Sequence, residues 1–101
     1  MSIESKEDHV MDKKENAVLT VVGKNEIGIL AGVATAVAEA NGSVVQVSQI
    51  VMEDFFTMNM LIDVTDLNGT IHELETSIKE KLPRVEVHLM HDNIFSAMHS
   101  I

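Results

Sequence analysis

Hydrophobic and polar positions along the chain predict four strands and two helices. The segment Ala17 to Val22 is apolar throughout except at Thr20, which is typical of a strand in the middle of a sheet with both faces covered. Val44 to Met52 and Phe55 to Val64 are the next two predicted strands, and only Glu53-Asp54 separates them. So short a connection predicts a tight antiparallel hairpin.

The third and fourth predicted strands each have one apolar face. Successive side chains of a strand point to opposite faces, and every second residue from Phe56 to Val64 is apolar. The fourth strand, Arg84 to Met90, shows the same alternation. These faces are predicted to belong to the core, and on the fourth strand the residues concerned are Val85, Val87 and Leu89.

The segment between the first two strands has the spacing of an amphipathic helix. Asn25 is its predicted N-cap, and Asn41-Gly42 is its predicted end, with the glycine in the left-handed conformation. The predicted apolar face consists of Ile29, Leu30, Val33, Ala34, Val37 and Ala38.

A second helix is predicted after the hairpin. Thr70 followed by Glu73 fits a capping box, and Pro83 marks the end of the helix. The residues that line its apolar face are Ile71, Leu74, Ile78 and Leu82.

This order of elements predicts an α+β fold, the ferredoxin-like βαββαβ sandwich, with a four-stranded antiparallel sheet and two helices on one face. Val, Thr and Leu side chains on the other face are too many to leave in water, so we expect a homodimer. Edge-to-edge pairing of sheets and face-to-face pairing both satisfy the pattern.

The chain of 101 residues is expected to form one domain. Residues 1–15 are predicted to be a flexible polar tail, 16–92 the folded domain, and 93–101 a short C-terminal helical appendage capped by Asp92. The polar start lacks the features of a signal peptide or membrane anchor, and there is no cysteine. Cytoplasmic location is the resulting expectation.

Charge narrows the range of partners. The formal net charge is −9, from 16 acidic residues against 7 Lys and Arg. Nucleic-acid binding relies on basic groups that neutralise phosphates, whereas the negative electrostatic potential of this chain repels them. We therefore expect no nucleic-acid partner and no anionic membrane partner.

The connection from the first strand to the first helix contains Gly23 and Gly28. Glycine adopts backbone angles that other residues avoid and leaves neighbouring amides accessible. The helix that follows directs its first unpaired N–H groups, and the positive end of its dipole, toward this turn. The turn is therefore either a site for the carboxylate of a small molecule or a tight strand-to-helix connection with no ligand.

Several motifs together resemble those of the ACT domain, a regulatory module that senses small molecules. The first strand ends in Gly23-Lys24, Gly28-Ile29 enters the helix, and Ser48-Gln49 lies on the second strand. The chain closes with the segment Ile94-Phe95-Ser96-Ala97-Met98. Their order and spacing are similar to those of short stand-alone ACT proteins of bacteria and archaea, over roughly Ala17 to Ile101.

The resemblance implies amino-acid binding at an interface between paired domains. ACT domains typically bind ligands with this turn and with neighbouring strand residues. The common form of the turn is Asp-x-Pro-Gly, whereas here Asn25 stands at the aspartate position and Ile27 at the proline position. Asn25 offers only neutral hydrogen bonds, where an aspartate would also hold an ammonium group by charge. Carried over by position, the ligand-binding residues are Asn25, Glu26, Ile27, Gly28, Ile29, Leu30, Ser48 and Gln49.

Gln49 is the unusual polar residue of the second strand, which is mostly apolar. A buried glutamine needs partners for its amide. Three roles are open: a hydrogen bond to backbone across the sheet, contact with a ligand, or contact with a partner chain.

Other chemistry has little support in the sequence. The five histidines do not form a two-histidine helical motif, and His88 and His91 fall on opposite faces of a predicted strand. No serine has the context of a nucleophile, and the first turn lacks the lysine and hydroxyl of a phosphate loop. We therefore expect no metal site, no catalytic residues and no cofactor.

The sequence thus favours a non-enzymatic regulatory protein that binds an amino acid or related small metabolite at a homodimer interface. The alternative is a ligand-free interaction module that docks on a metabolic enzyme or regulator. The departures at Asn25 and Ile27 favour this alternative.

Overall fold

The protein folds as a two-layer sandwich of one sheet and two helices. A computed structural model describes residues 14–24 and 27–92. The predicted C-terminal helical appendage, residues 93–101, and most of the predicted polar tail lie outside the described residues. The elements are β1 (Asn16–Lys24), α1 (Ile29–Glu39), β2 (Ser43–Met52), β3 (Phe55–Asp63), α2 (Ile71–Lys81) and β4 (Glu86–His91).

The four strands form one antiparallel sheet in the order β2-β3-β1-β4. The predicted ferredoxin-like βαββαβ fold is confirmed, as is the hairpin between β2 and β3. Glu53 in the hairpin turn takes the left-handed conformation, with φ of 54°. The strands β2 and β4 are the two edges of the sheet.

The core lies between the helices and one face of the sheet. Every second residue of β3 from Phe56 to Ile62 is buried, together with Val64 just beyond the strand, as the alternation predicted. Leu19 in β1 lies directly between Met60 of β3 and Leu89 of β4. Since directly opposed residues share a face, these three side chains form one row of the core.

The buried face of α1 differs from the predicted one. Ile29, Val33, Ala36 and Val37 are buried, whereas the predicted core residues Leu30, Ala34 and Ala38 are exposed. Apolar residues nearly surround this helix, so spacing alone did not indicate which side faces the sheet. Packing against α2 settles the orientation, because Gly32 lies against Leu82 at the end of α2.

Both ends of α1 also differ in detail from the prediction. The N-cap is Gly28, with φ of 92°, and the predicted cap Asn25 lies outside the described residues. At the other end Asn41, not Gly42, takes the left-handed conformation, with φ of 66°. The Asn41 side-chain amide donates to the Asp66 carbonyl at 3.0 Å, which holds the residue in this conformation.

The second helix begins as predicted. The Glu73 amide donates to Thr70 Oγ1 and the Thr70 amide donates to Glu73 Oε1, each at 3.0 Å. This reciprocal capping box satisfies two amides that the helix itself leaves unpaired. Leu74 and Ile78 are buried against the sheet.

Candidate functional site

The turn between β1 and α1 presents an open helix N-terminus. Gly28 is left-handed and exposed, and the first helical hydrogen bond runs from the Gly32 amide to the Gly28 carbonyl at 2.9 Å. The amides of residues 29–31 therefore have no acceptor within the helix. Among the described residues no side chain caps them. Their partial positive charges are available to an anion.

A cavity of about 210 Å³ lies beside this turn. One wall is the turn and first helical residues, and the other wall is the segment that joins α2 to β4. The walls thus combine backbone amides, apolar side chains and two basic side chains. The lining residues are Ile27, Gly28, Ile29, Gly32, Lys81, Leu82, Pro83, Arg84 and Val85.

Gly23 allows the second wall to approach the sheet. A Cβ at this position would lie 2.9 Å from Val85 Cγ1 and 3.2 Å from Val85 Cα, so a larger residue would push the segment away. The glycine that ends the apolar part of β1 is thus needed for close packing. Gly28, by contrast, is needed for its positive φ.

Basic residues concentrate at this end of an acidic protein. Lys24, Lys79, Lys81 and Arg84 are four of the 7 Lys and Arg residues of the chain. The topology brings them together, because β1 and α2 end at the side where α1 and β4 begin. Lys81 Nζ lies 3.5 Å from Glu39 Oε1, whereas Arg84 forms no ion pair with any described residue. The Arg84 guanidinium is therefore available to a carboxylate.

The structure describes four of the six predicted ligand residues of the turn, and Asn25 and Glu26 lie outside the described residues. Ile27 is fully exposed, Leu30 is 42% exposed, and the Ile29 side chain is buried in the core. Ile29 thus offers a ligand only its backbone amide. Ile27, Gly28 and Ile29 line the cavity, whereas Leu30 does not.

The predicted strand residues Ser48 and Gln49 lie apart from this cavity within one protomer. Both are on the edge strand β2 and their side chains point to opposite faces, Ser48 opposite Asn59 and Gln49 opposite Met58. Gln49 is exposed, so the expectation that it is buried was wrong. Its side chain makes no hydrogen bond to any of the described residues, so the predicted bond to backbone across the sheet is not formed with them.

Sequence reasoning missed the second wall of the cavity. Leu82 and Pro83 were assigned to the end of the second helix and Arg84 to the start of the fourth strand, and none of them was predicted to contact a ligand. The signal was the concentration of three basic residues within positions 79–84 of an acidic chain. Combined with the predicted topology, it points to the end of the sheet where the glycine turn lies.

The described part of the chain shows no convergence of metal ligands. No group of three or more His, Asp or Glu side chains in residues 14–24 and 27–92 is arranged to hold an ion. His88 Nε2 lies 3.5 Å from Glu86 Oε1 on the exposed surface of β4. Neither described helix is long and apolar enough to span a membrane.

The fold and the turn define a class of small domains, βαββαβ sandwiches with an open helix N-terminus beside the sheet. The chain belongs to the ACT domain family, since the family model matches residues 15–91. ACT domains are regulatory modules, so this is a regulatory domain.

Relatives from distant organisms cover nearly the same length of chain. A UPF0237 protein of Listeria innocua is 40% identical over 87 residues, with 84% of this chain and 98% of the relative covered. A UPF0237 protein of Methanococcus maripaludis is 40% identical over 90 residues, with 86% and 99% covered. The structure is also similar to an ACT domain protein from Streptococcus pneumoniae, with a TM-score of 0.67, 31% identity, and 84% and 98% of the two chains covered.

Proposed function

We propose that the protein is a non-enzymatic sensor that binds an amino acid or related small metabolite as a homodimer. The observation that supports this most directly is the cavity of about 210 Å³ between the open start of α1 and the basic segment after α2. A carboxylate at the amides of residues 29–31 would interact with the helix dipole and with the Arg84 guanidinium. The apolar side chains Leu82, Pro83 and Val85 would contact the rest of the molecule.

A second protomer gives this site a means of regulation. Ile27 and Leu30 remain exposed at the turn of a single protomer, and Gln49 has no hydrogen-bond partner among the described residues. Ligand held between the turn of one protomer and a strand of its neighbour would favour one arrangement of the dimer. A metabolic enzyme or regulator would respond to that arrangement, which is a population shift between two states.

Calorimetric titration of the full chain with each of the twenty amino acids, and then with common metabolites, tests the proposal. We expect at least one carboxylate-bearing compound to release heat and raise the Tm. Absence of both effects for every compound would contradict it.

Replacing Arg84 with alanine should weaken binding of that compound by about tenfold, since a charge-assisted hydrogen bond contributes on the order of 1.5 kcal/mol or more. The matched control is Lys79→Ala, which removes the same charge from α2 outside the cavity lining. Calorimetry of both variants measures the difference. Equal weakening by the two variants would indicate a general charge effect and would argue against a contact at Arg84.

A ligand-free interaction module is the second candidate. Ile27 supports it, because this fully exposed side chain stands where the common form of the turn has a proline, and a partner protein would bury it. This candidate predicts that no compound releases heat in the calorimetric titrations. It also predicts a stable complex with an enzyme or regulator, and that complex forms without any metabolite.

A further inference from the structure

A second cavity, of about 250 Å³, lies on the face of the sheet opposite the helices, which we call the open face. Val18 and Leu61 alternate with the buried core residues Leu19 and Met60, so their side chains point away from the helices. This cavity shares no residue with the one at the β1–α1 turn. The predicted ligand residue Ser48 belongs to it. The lining residues are Val18, Gln46, Ser48, Asn59, Met60 and Leu61.

The register of the sheet fixes how the side chains of this cavity are arranged. Leu61 is opposite Val18 on one side and opposite Gln46 on the other, so these three form one row across β1, β3 and β2. Asn59 and Ser48 are opposite each other in the next row. Strands lie about 4.8 Å apart and rows on one face about 7 Å apart. Val18 and Leu61 therefore form an apolar floor, and the polar side chains border it on two sides.

A β-bulge places Gln46 in this cavity. Val44 is opposite the core residue Ile62, and the register then shifts so that Gln46 is opposite Leu61. In a regular strand, Gln46 would be opposite the buried Met60 and would point toward the helices. Bulges are frequent beside functional sites, where they redirect a side chain. The bulge thus turns a carboxamide from the core side of the sheet to the open face.

The polar side chains of the cavity have unused hydrogen-bonding capacity. Thr20 Oγ1 donates to Asn59 Oδ1 at 3.2 Å, which orients the Asn59 carboxamide and leaves its amino group as a donor. The side chains of Gln46 and Ser48 make no hydrogen bond to any described residue. A carboxamide presents a donor beside an acceptor. That pair is complementary to the edge of a nitrogen heterocycle that carries an acceptor beside a donor.

The cavity is uncharged, although it belongs to an acidic protein. None of its six lining residues is ionisable, whereas the chain has a net charge of −9. The negative potential of the protein disfavours an anion, and a cation would find no carboxylate among the lining residues to pair with. Pockets for drug-sized ligands measure about 300–1,000 Å³, so this smaller cavity suits a single neutral ring system.

We propose that the open-face cavity binds a neutral, planar nitrogen heterocycle, a purine or pyrimidine base, either free or as its nucleoside. The face of the ring lies on Val18 and Leu61. The Gln46 carboxamide pairs with a donor–acceptor edge of the ring, and the Asn59 amino group donates to a second ring acceptor. This site goes beyond the proposed function and does not depend on the carboxylate site at the turn, so either can fail without the other.

Side-chain amide resonances of the ¹⁵N-labelled full chain test the proposal directly. The chain is titrated with adenosine, guanosine, cytidine and uridine. We expect at least one nucleoside to shift the side-chain amide resonances of Gln46 and Asn59 in a saturable manner, while the backbone amide of Gly28 stays in place. Titrations in which no nucleoside shifts these two side chains, or in which only the turn responds, would overturn the proposal.

The matching nucleoside monophosphate tests the preference for a neutral ligand. Its phosphate adds negative charge that the acidic protein repels, so we expect it to bind severalfold more weakly than the nucleoside, with a smaller difference at high salt. Equal or tighter binding of the monophosphate at low salt would contradict recognition through an uncharged cavity.

Two substitutions in the cavity should weaken binding of that nucleoside. Gln46→Ala removes a paired donor and acceptor and should raise the Kd by about tenfold, and Asn59→Ala should raise it severalfold. Asn68→Ala is the matched control, because Asn68 is exposed and lies outside the cavity. The backbone amide spectrum verifies the fold of each variant. A folded Gln46→Ala variant with unchanged affinity, or an equal loss with Asn68→Ala, would contradict the site.

A second copy of the chain is the other occupant that an open sheet face can take. Face-to-face packing of two copies would shift the methyl resonances of Val18 and Leu61 as the protein concentration rises, without any nucleoside. We expect these methyl resonances to be independent of protein concentration and to respond to the nucleoside. A concentration-dependent shift that prevents the nucleoside from binding would overturn the proposal.

Discussion

Replacing Leu19 with alanine is expected to lower the free energy of unfolding by about 2–5 kcal/mol, the usual range for removing a large side chain from a packed core. Leu19 is fully buried in the central strand β1, between Met60 and Leu89 on the same face. The alanine would leave a cavity that neighbouring strands cannot fill without breaking their register. Urea denaturation measures the loss when the wild type and the variant are fitted with one common slope of unfolding free energy against urea concentration.

Leu30→Ala is the matched control for that experiment, because it makes the same chemical change on α1 at a side chain that is 42% exposed. At concentrations low enough for the chain to be monomeric, we expect a change of less than about 0.5 kcal/mol. A loss as large as that of Leu19→Ala would mean that Leu30 faces the core, as the helical spacing had predicted. The face of α1 described above would then be wrong.

Replacing Gly28 with alanine is expected to lower the affinity for the ligand by more than tenfold. Gly28 has φ of 92°, and a Cβ there would touch nothing within 4 Å, so the change acts through backbone strain alone. Left-handed backbone costs a residue with a side chain about 1–2 kcal/mol. Relief of that strain would rotate the peptide groups that direct the first amides of α1 toward the cavity.

Gly69→Ala separates loss of the site from loss of stability. Gly69 has φ of 90°, and a Cβ there would collide with the Glu73 carboxylate of the capping box. This variant should be destabilised at least as much as Gly28→Ala while it keeps its affinity, because it lies at the opposite end of the helices. Calorimetry and thermal denaturation of both variants test the pair, and equal affinity for the two would refute a role for Gly28.

Much of the fold could be predicted because β-alternation and capping are local signals. The alternation of β3 assigned its buried face correctly, and the Thr70–Glu73 pair located the start of α2. The face of α1 was only partly predicted, since Leu30, Ala34 and Ala38 are as apolar as the residues it buries. Which side faces the sheet depends on close packing of Gly32 against Leu82, a contact between residues 50 positions apart in the sequence.

The candidate site was predicted on one side only. The glycine turn could be recognised from Gly28 in the local sequence. The wall that contains Lys81 and Arg84 lies beside this turn only in the folded chain. The exposure of Gln49 also escaped prediction, because an edge strand and a central strand can have the same composition. The position of a strand in the sheet determines how far its side chains are buried, and that position depends on the fold of the whole chain.

Amide resonances of the ¹⁵N-labelled protein test the central claim, that the start of α1 holds the carboxylate of a small metabolite. The full chain is titrated with each of the twenty amino acids. We expect at least one of them to shift the amide resonances of Gly28, Ile29 and Leu30 in a saturable manner, while those of Gly69 and Thr70 stay in place. Titrations that leave the first three unmoved, or shift only residues remote from this turn, would contradict it.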